Sequence, residues 1–311
     1  ERGNPGTGRA SYRGQKDCPH LADAGTLHFV DAQEIRWMLK LLAPRLMGKL
    51  NPRHKQLELD DTVFSKSWKL IEKALTGGNR LTRAEIFKLL EDEKITPGGQ
   101  RGIHILSWFS QQILLCHGPY RDKQPTFVLL EEWLPPAREM DLEEALAELA
   151  KRFFEGHGPA TLADFARWAS LTITDARRGL DAVRSELRRE YTAGQTYWMA
   201  ANPTNTLPDS TGGYLLPGFD EFILGYKDRQ AVLDPQFTEL LEPGKNGIFM
   251  PTVVNNGRVV GLWKRAVNSR KDKITLTPTP FTSFTQAEKE GIETSAAHYS
   301  RFIGLPVEVV F

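Results

Sequence analysis

Apolar positions follow a helical period through the middle of this chain and a strand period towards its end, behind an aperiodic stretch. Residues 1–24, ERGNPGTGRASYRGQKDCPHLADA, are rich in Gly, Arg and polar residues and predict a poorly ordered or divergent lead-in. At Gly25 the character changes. GTLHFV reads as a short strand and Asp31 to Ala43 as a helix. Asp31 would cap that helix, Glu34 would complete a capping box and Pro44 would end it.

A helical pattern then occurs twice. In the first copy VFSKSWKLIEKAL is a helix, Gly77-Gly78 break it, and Thr82 caps RAEIFKLLEDE. A turn at Pro97-Gly98-Gly99, a helix from Arg101 to Leu115 and a strand pair around Cys116-His117 and TFVLLEEW follow. In the second copy LEEALAELAKRFFE is a helix, Gly156 and Gly158-Pro159 break it, and Thr161 caps LADFARWA. Thr172 or Thr174 then opens a helix to Arg189, and a strand pair ends in TYWMA. Thr82 and Thr161 stand 79 residues apart. Helix, helix, longer helix and hairpin is the order of a winged helix-turn-helix, so residues 59–138 and 139–204 predict two tandem modules.

In the last helix of the second copy, Ile173, Ala176, Leu180, Val183 and Leu187 form the predicted buried stripe. Arg177, Arg184 and Arg188 lie on another face, with Arg178 and Arg189 beside it. An apolar back and a guanidinium front suit a recognition helix on DNA. Asp175, Asp181, Glu186 and Glu190 leave open a solvated helix laced with ion pairs. The first copy's last helix carries Arg101, His104 and Gln111-Gln112 and reads as a packing module.

From about residue 205 strands dominate. YLLPGFDEFILGY, GIFMPTVV, RVVGLWKR and TLTPTPF are β-rich, Asn255-Asn256-Gly257 is a hairpin turn, and FTQAEKEGIETSAAHYSRFIG closes as a helix. Residues 205–311 therefore form an α+β unit rich in β structure. The basic hairpin brings Arg258, Lys264, Arg265, Arg270 and Lys271 as candidate phosphate contacts in or beside a minor groove, with Trp263 in the core. LPGFDEFILGYKDR, residues 216 to 229, mixes aromatic and charged residues. It predicts ions paired on a strand rim or lining a pocket, with Lys227 or Arg229 against Asp220 or Asp228.

Composition narrows the classes. The 311 residues are 40% hydrophobic and 25% charged, enough for two or more compact domains. No apolar run approaches the roughly 18 residues of a membrane span, and no signal-peptide pattern is present, so no membrane partner is expected. Cys18 and Cys116 make no disulfide framework, which points to a reducing cytoplasm. The histidines have no metal-ligand spacing, and P-loop, GxGxxG and GxSxG motifs are absent, so neither metal nor cofactor is expected. Net charge is +1, but six basic residues and no acid lie between Arg36 and Leu57, and six basic residues against Asp272 between Asn256 and Lys273. Seven acids against Arg138 lie between Glu131 and Glu148. Such polarity suits a protein that grips a polyanion with one face, or one that simply has solvated helix faces.

GTLHFVDAQEIRWMLKLLAPR, TFVLLEEWLP, LLPGFDEFILGYKDR, NGIFMPTVVNNGRVVGLWKR and RFIGLP occur in that order. Over residues 25 to 311 they resemble the bacterial winged-helix DNA-binding family that includes the AlkZ-like DNA glycosylases. The resemblance implies an enzyme that unhooks interstrand crosslinks and excises bulky N-alkylpurines. It also implies a C-shaped set of tandem winged helices with a C-terminal β domain, DNA across the concavity, and residues 25–58 as the remnant of a first module. The family's glycosylases carry Gln-x-Gln or Gln-x-Asp ahead of the block matched here by Gly25 to His28. No Gln-x-Gln occurs, and Ala24 stands where the family has arginine, as though the first module were truncated, replaced or absent from this chain.

Cleavage of an alkylated purine needs stabilisation of an oxocarbenium-like sugar and a positioned water. Asp220 and Glu221 are the candidate carboxylates, with His28 in the matched block as a further candidate beside a plainer structural role. Arg229 completes the candidate DNA contacts. The reading is a monomeric protein on double-stranded DNA, in the cytoplasm at the nucleoid, either a glycosylase or a non-catalytic DNA-binding protein or regulator. A protein-interaction scaffold without DNA is the third alternative.

Overall fold

The computed structural model describes residues 17–22, 26–202, 212–244 and 247–311, with side chains from Val30 onward. Residues 1–16, Ala24, Gly25 and the module boundary near residue 205 therefore lie outside the described residues. The chain divides into an N-terminal unit that runs to Glu155 and includes Ala169–Leu187, and a C-terminal unit of Gly156–Trp168 with Arg188–Phe311.

In the N-terminal unit, β1 (Asp17–Ala22) pairs antiparallel with β2 (Thr26–Asp31), so part of the expected lead-in is a strand. Helix α1 spans Ile35–Gln56, starting later than predicted and passing through Pro44 and Pro52. The Asp31 carboxylate accepts the Gln33 N–H at 2.8 Å within the turn, and Glu34 accepts the Trp37 indole N–H at 2.6 Å. A proline inside a helix forfeits a backbone bond. Packing at the far end offsets that loss: His54 is buried with its ring edge-on to Phe64 and to Trp108, each at 5.5 Å.

Helix α2 (Asp61–Leu75) is capped by Asp60, which accepts the Val63 N–H at 2.8 Å. Then come β3 (Leu81–Thr82), α3 (Arg83–Asp92), α4 (Arg101–Gln111), β4 (Leu115–Arg121), β5 (Gln124–Leu129) and the single turn α5 (Leu130–Trp133). The sheet order is β3-β5-β4, with Leu81 opposite Phe127. Thr82 caps α3 as predicted, and with Glu85 it forms a capping box. Ile71, Leu75, Ile86, Leu90, Ile105 and Leu115 make the core, while Val30, Ile35 and Leu39 pack with Cys116 and Val128.

Helices α6 (Leu142–His157) and α8 (Ile173–Val183) follow, with α7 (Leu162–Trp168) between them in sequence. Gly179 is required by close packing, because a Cβ there would stand 2.5 Å from the Leu146 carbonyl oxygen. Helix α8 ends at Val183 rather than Arg189; a 3₁₀ turn leads into β6 (Leu187–Thr192). A four-residue step from Val183 to Leu187 places both inward whether the chain stays helical or turns into a strand. Arg188 is therefore on a strand, and Ile173, at 50% exposure, is outside the buried stripe.

In the C-terminal unit β7 (Gln195–Ala200) forms a two-stranded sheet with β6, and Ala160 bridges to Trp198. A five-stranded sheet, ordered β12-β11-β10-β9-β8, is built from β8 (Gly213–Leu216), β9 (Thr252–Asn255), β10 (Arg258–Val267), β11 (Ile274–Pro280) and β12 (Val307–Val309). Asn256 and Gly257, at φ 47° and 72°, turn β9 into β10 as a two-residue hairpin. The closing helix (Gln286–Ile303) covers one face through Ile292 and Ala296 against Val253, Trp263 and Leu276. Its backbone approaches β8 where a Cβ on Gly213 would lie 2.8 Å from the Gly291 carbonyl carbon. Ile223, Leu233, Leu241 and Phe249 pack with Val254 and Val259 in a separate core.

Candidate functional site

Beyond Leu216, where β8 ends, the segment 216–229 does not form a strand. Asp220 is the N-cap of a single helical turn, α9 (Glu221–Leu224), and its Oδ1 accepts the Phe222 N–H at 2.9 Å. Phe219 precedes it at φ 64° and is 55% exposed, so it does not anchor a strand. A side-chain cap competes with a ladder for the same backbone donors, and here the cap prevails.

Charge and aromaticity coexist because the segment is bonded to α7 and the residues before it. Glu221 Oε2 accepts the Trp168 indole N–H at 3.0 Å and lies 3.3 Å from His157 Nε2. The Tyr226 hydroxyl donates to the His157 carbonyl at 2.7 Å, and Arg167 donates to the Leu224 carbonyl at 2.9 Å. Asp164, only 4% exposed, accepts the Thr161 N–H and hydroxyl on Oδ2, at 2.8 and 2.7 Å, and the Lys227 N–H on Oδ1 at 2.6 Å. Burial, then the charges of Asp164 and Glu221, pushes the Tyr226 hydroxyl above its ordinary pKa.

Arg229 is not paired with Asp220, as the sequence suggested. Its Nε donates to the Ile223 carbonyl at 2.8 Å and its guanidinium lies 4.9 Å from the centre of the Phe249 ring. Burial, with Arg167 adding like-charge repulsion, lowers its pKa, and Glu242 opposes the shift. Beside it opens a cleft of about 470 Å³, lined by Thr161, Asp164, Gln195, Lys227, Arg229 and Thr238 among others.

The basic candidates fall into groups. On α8, Arg177 is exposed, while Arg178 pairs with Glu143 and with Asp175. Arg184, in the 3₁₀ turn, reaches Asp181 at 3.7 Å, and Arg188 on β6 pairs with Glu190. The hairpin read as one basic feature resolves into two ends of β10. Arg258 follows the β9–β10 turn, whereas Arg270 and Lys271 occupy the β10–β11 turn, about 30 Å of strand away. Lys264 and Arg265 are exposed near that second end, and Arg265 donates to the Tyr299 hydroxyl. Trp263 is in the core, donating to the Leu216 carbonyl at 2.8 Å.

His28 is in β2, and its side chain lies outside the described residues. Gln-x-Asp does occur, at Gln15 and Asp17; Gln15 lies outside the described residues and only the backbone of Asp17, in β1, is described. Among the described residues, no group of three or more His, Cys, Asp or Glu side chains is arranged to hold a metal ion. The partners of the 216–229 segment, His157, Asp164 and Trp168, were missed in the sequence. Of these only Asp164 left a signal there, three residues after the capping Thr161.

Comparison with known proteins agrees with this architecture. The family model "DNA glycosylase AlkZ-like" matches residues 9–302. An interstrand DNA cross-link repair glycosylase of Streptomyces sahachiroi is 30% identical over 314 residues, covering 92% of this chain and 80% of the relative. The solved structure of the Streptomyces sahachiroi DNA glycosylase AlkZ superposes with a TM-score of 0.71 at 26% identity, covering 95% of this chain and 82% of that one. The chain thus belongs to the AlkZ-like DNA glycosylase family.

Proposed function

We propose that this protein binds double-stranded DNA and hydrolyses the N-glycosidic bond of alkylated or crosslinked purines, using no resident metal or cofactor. The observation that carries the reading is a family likeness running from residue 9 to residue 302, through both units. It would act as a monomer in the cytoplasm, at the nucleoid. No helix among the described residues is long and apolar enough to cross a membrane.

Tandem winged helices at 59–138 and 139–204 are part of this reading. Two parallels support them. Leu81 opposite Phe127 corresponds to Ala160 opposite Trp198, and Thr82 with Glu85 corresponds to Thr161 with Asp164. DNA phosphates would be met by Arg177 and by Arg258, Lys264, Arg265, Arg270 and Lys271. Arg178, Arg184 and Arg188 would exchange their acidic partners for phosphate, and such exposed pairs hold weakly enough to be exchanged. Of the two carboxylates, Asp220 is the better candidate to orient a water, since its Oδ1 alone is used by the cap while Glu221 is engaged by Trp168.

Incubation with a duplex containing 7-methylguanine tests the activity: free 7-methylguanine is the expected product, and Asp220→Asn should slow its release by about a hundredfold. Retained duplex binding without release would favour the second reading, a non-catalytic DNA-binding protein. Duplex affinity should fall steeply with salt, and Lys264→Ala should reduce the slope of log K against log salt by about 0.9.

A further inference from the structure

Arg229 carries a half-buried charge that no ion pair among the described residues neutralises, although the Glu242 carboxylate lies within electrostatic range. Its Nη2 is buried and has no hydrogen-bond partner, and among the described residues it makes no ion pair. Buried donors are ordinarily satisfied, and a desolvated cation is costly unless an anion meets it. The side chain is nonetheless held in place, by the Ile223 carbonyl on Nε and by the Phe249 face. Arg167 adds a second positive charge within range.

The acids lining the adjoining cleft, Asp164 and Asp228, form no ion pair with Arg229 or Lys227 among the described residues and are held by neutral donors. Asp164 uses both oxygens on Thr161 and on the Lys227 N–H, and Asp228 accepts the Gln230 N–H at 2.9 Å. Lys227 is exposed and its ammonium forms no ion pair among the described residues. Gln195 and Gln230 add neutral side-chain donors to the same wall. A volume of about 470 Å³ falls within the range of small-ligand sites, roughly 300–1,000 Å³.

We propose that this cleft is a phosphate-binding site in which Arg229 and Lys227 hold one phosphate group, and that its occupant is a backbone phosphodiester of DNA. The second half rests on the DNA-binding reading above; the first half does not. A guanidinium already fixed by packing loses little freedom on binding, which favours a localised phosphate over a diffuse counterion cloud.

Thermal unfolding in inorganic phosphate, against chloride at equal ionic strength, is the first measurement. A saturable rise in the midpoint is expected, with the apparent phosphate affinity weakened about tenfold in Lys227→Gln and in Arg229→Lys. Should Arg229→Lys not fold, the exposed Lys227→Gln carries the test. No saturable effect, or affinity unchanged in the folded variants, overturns the site. Binding of an unmodified duplex, measured by anisotropy, is the second measurement; phosphate should compete with it, and both variants should weaken it. Phosphate binding that a bound duplex leaves untouched overturns the phosphodiester assignment. A duplex that does not bind at all, with phosphate still saturating, overturns that assignment and the DNA-binding reading while the anion site stands.

Discussion

The Trp168 indole N–H donates to the Glu221 carboxylate at 3.0 Å, joining residues 53 positions apart in the chain. Together with His157 Nε2 at 3.3 Å, this bond fixes the turn that starts at Asp220. Glu221→Ala should cost about 1 kcal/mol of stability and Glu221→Gln less, since an amide oxygen can still accept. Urea unfolding measures this. If Glu221→Ala leaves stability unchanged while abolishing base release, Glu221 acts in the chemistry rather than in the fold.

Asp164 is the more heavily used acid, buried and accepting three hydrogen bonds. Asp164→Ala would strand the Thr161 and Lys227 donors, at a cost of about 2–3 kcal/mol. Hydrogen exchange should locate the damage at the Lys227 amide, which would lose its protection. Continued protection there would mean the 2.6 Å bond contributes nothing.

Gly213 and Gly291 let a helix backbone lie almost against a strand. Gly213→Ala would place a methyl group 2.8 Å from the Gly291 carbonyl carbon, where backbone rather than a flexible side chain must move. A loss of about 1–3 kcal/mol is expected by chemical denaturation. Gly48→Ala, inside α1 with nothing within 4 Å of its added carbon, should by contrast stabilise the fold by about 0.5–1 kcal/mol.

Three histidines resist protonation in the fold. Burial lowers the pKa of His54, with His104 adding repulsion, and that of His104, with Arg53 adding repulsion. Burial also lowers His117, opposed by its bond to the Thr126 carbonyl. The unfolded chain takes up protons near the ordinary value of 6.5 while the native state does not. Stability is therefore full above that value, falls as pH drops through it, and levels off once the native imidazoles also charge. Unfolding free energies in urea should be lower at about pH 5.5 than at about pH 7.5. Equal values at both would mean that these side chains titrate as they do in the unfolded chain.

Two local signals in the sequence held, while a third, Asp31 and Glu34 as a capping box, did not, since α1 starts at Ile35 without a side-chain cap. Thr82 with Glu85, and Asn256-Gly257, take the conformations their neighbours dictate, because cap and turn are settled within four residues. Pro44 misled, since the helix through it is retained by distant packing of His54 against Phe64 and Trp108. The end of α8 misled because Leu187 faces inward from helix and strand alike. Within 216–229, the mixture of charge and aromaticity was visible and its partners were not. Trp168 and His157 stand more than fifty positions earlier, and no period in the sequence spans that distance. Helical spacing allowed the Arg178 pair with Asp175, but not its pair with Glu143, which comes from another element, nor that of Arg188 with Glu190 on a strand.

The double use of Asp164 sets a rule for recombining this polypeptide with its relatives. A crossover placed at residue 205, where strand-type sequence begins, would separate Asp164, Arg167 and Trp168 from the residues they were selected to fit, and graft a foreign loop onto a sunken carboxylate. A chimera that carries residues 156–168 along with everything from 188 onward keeps those bonds within a single parent.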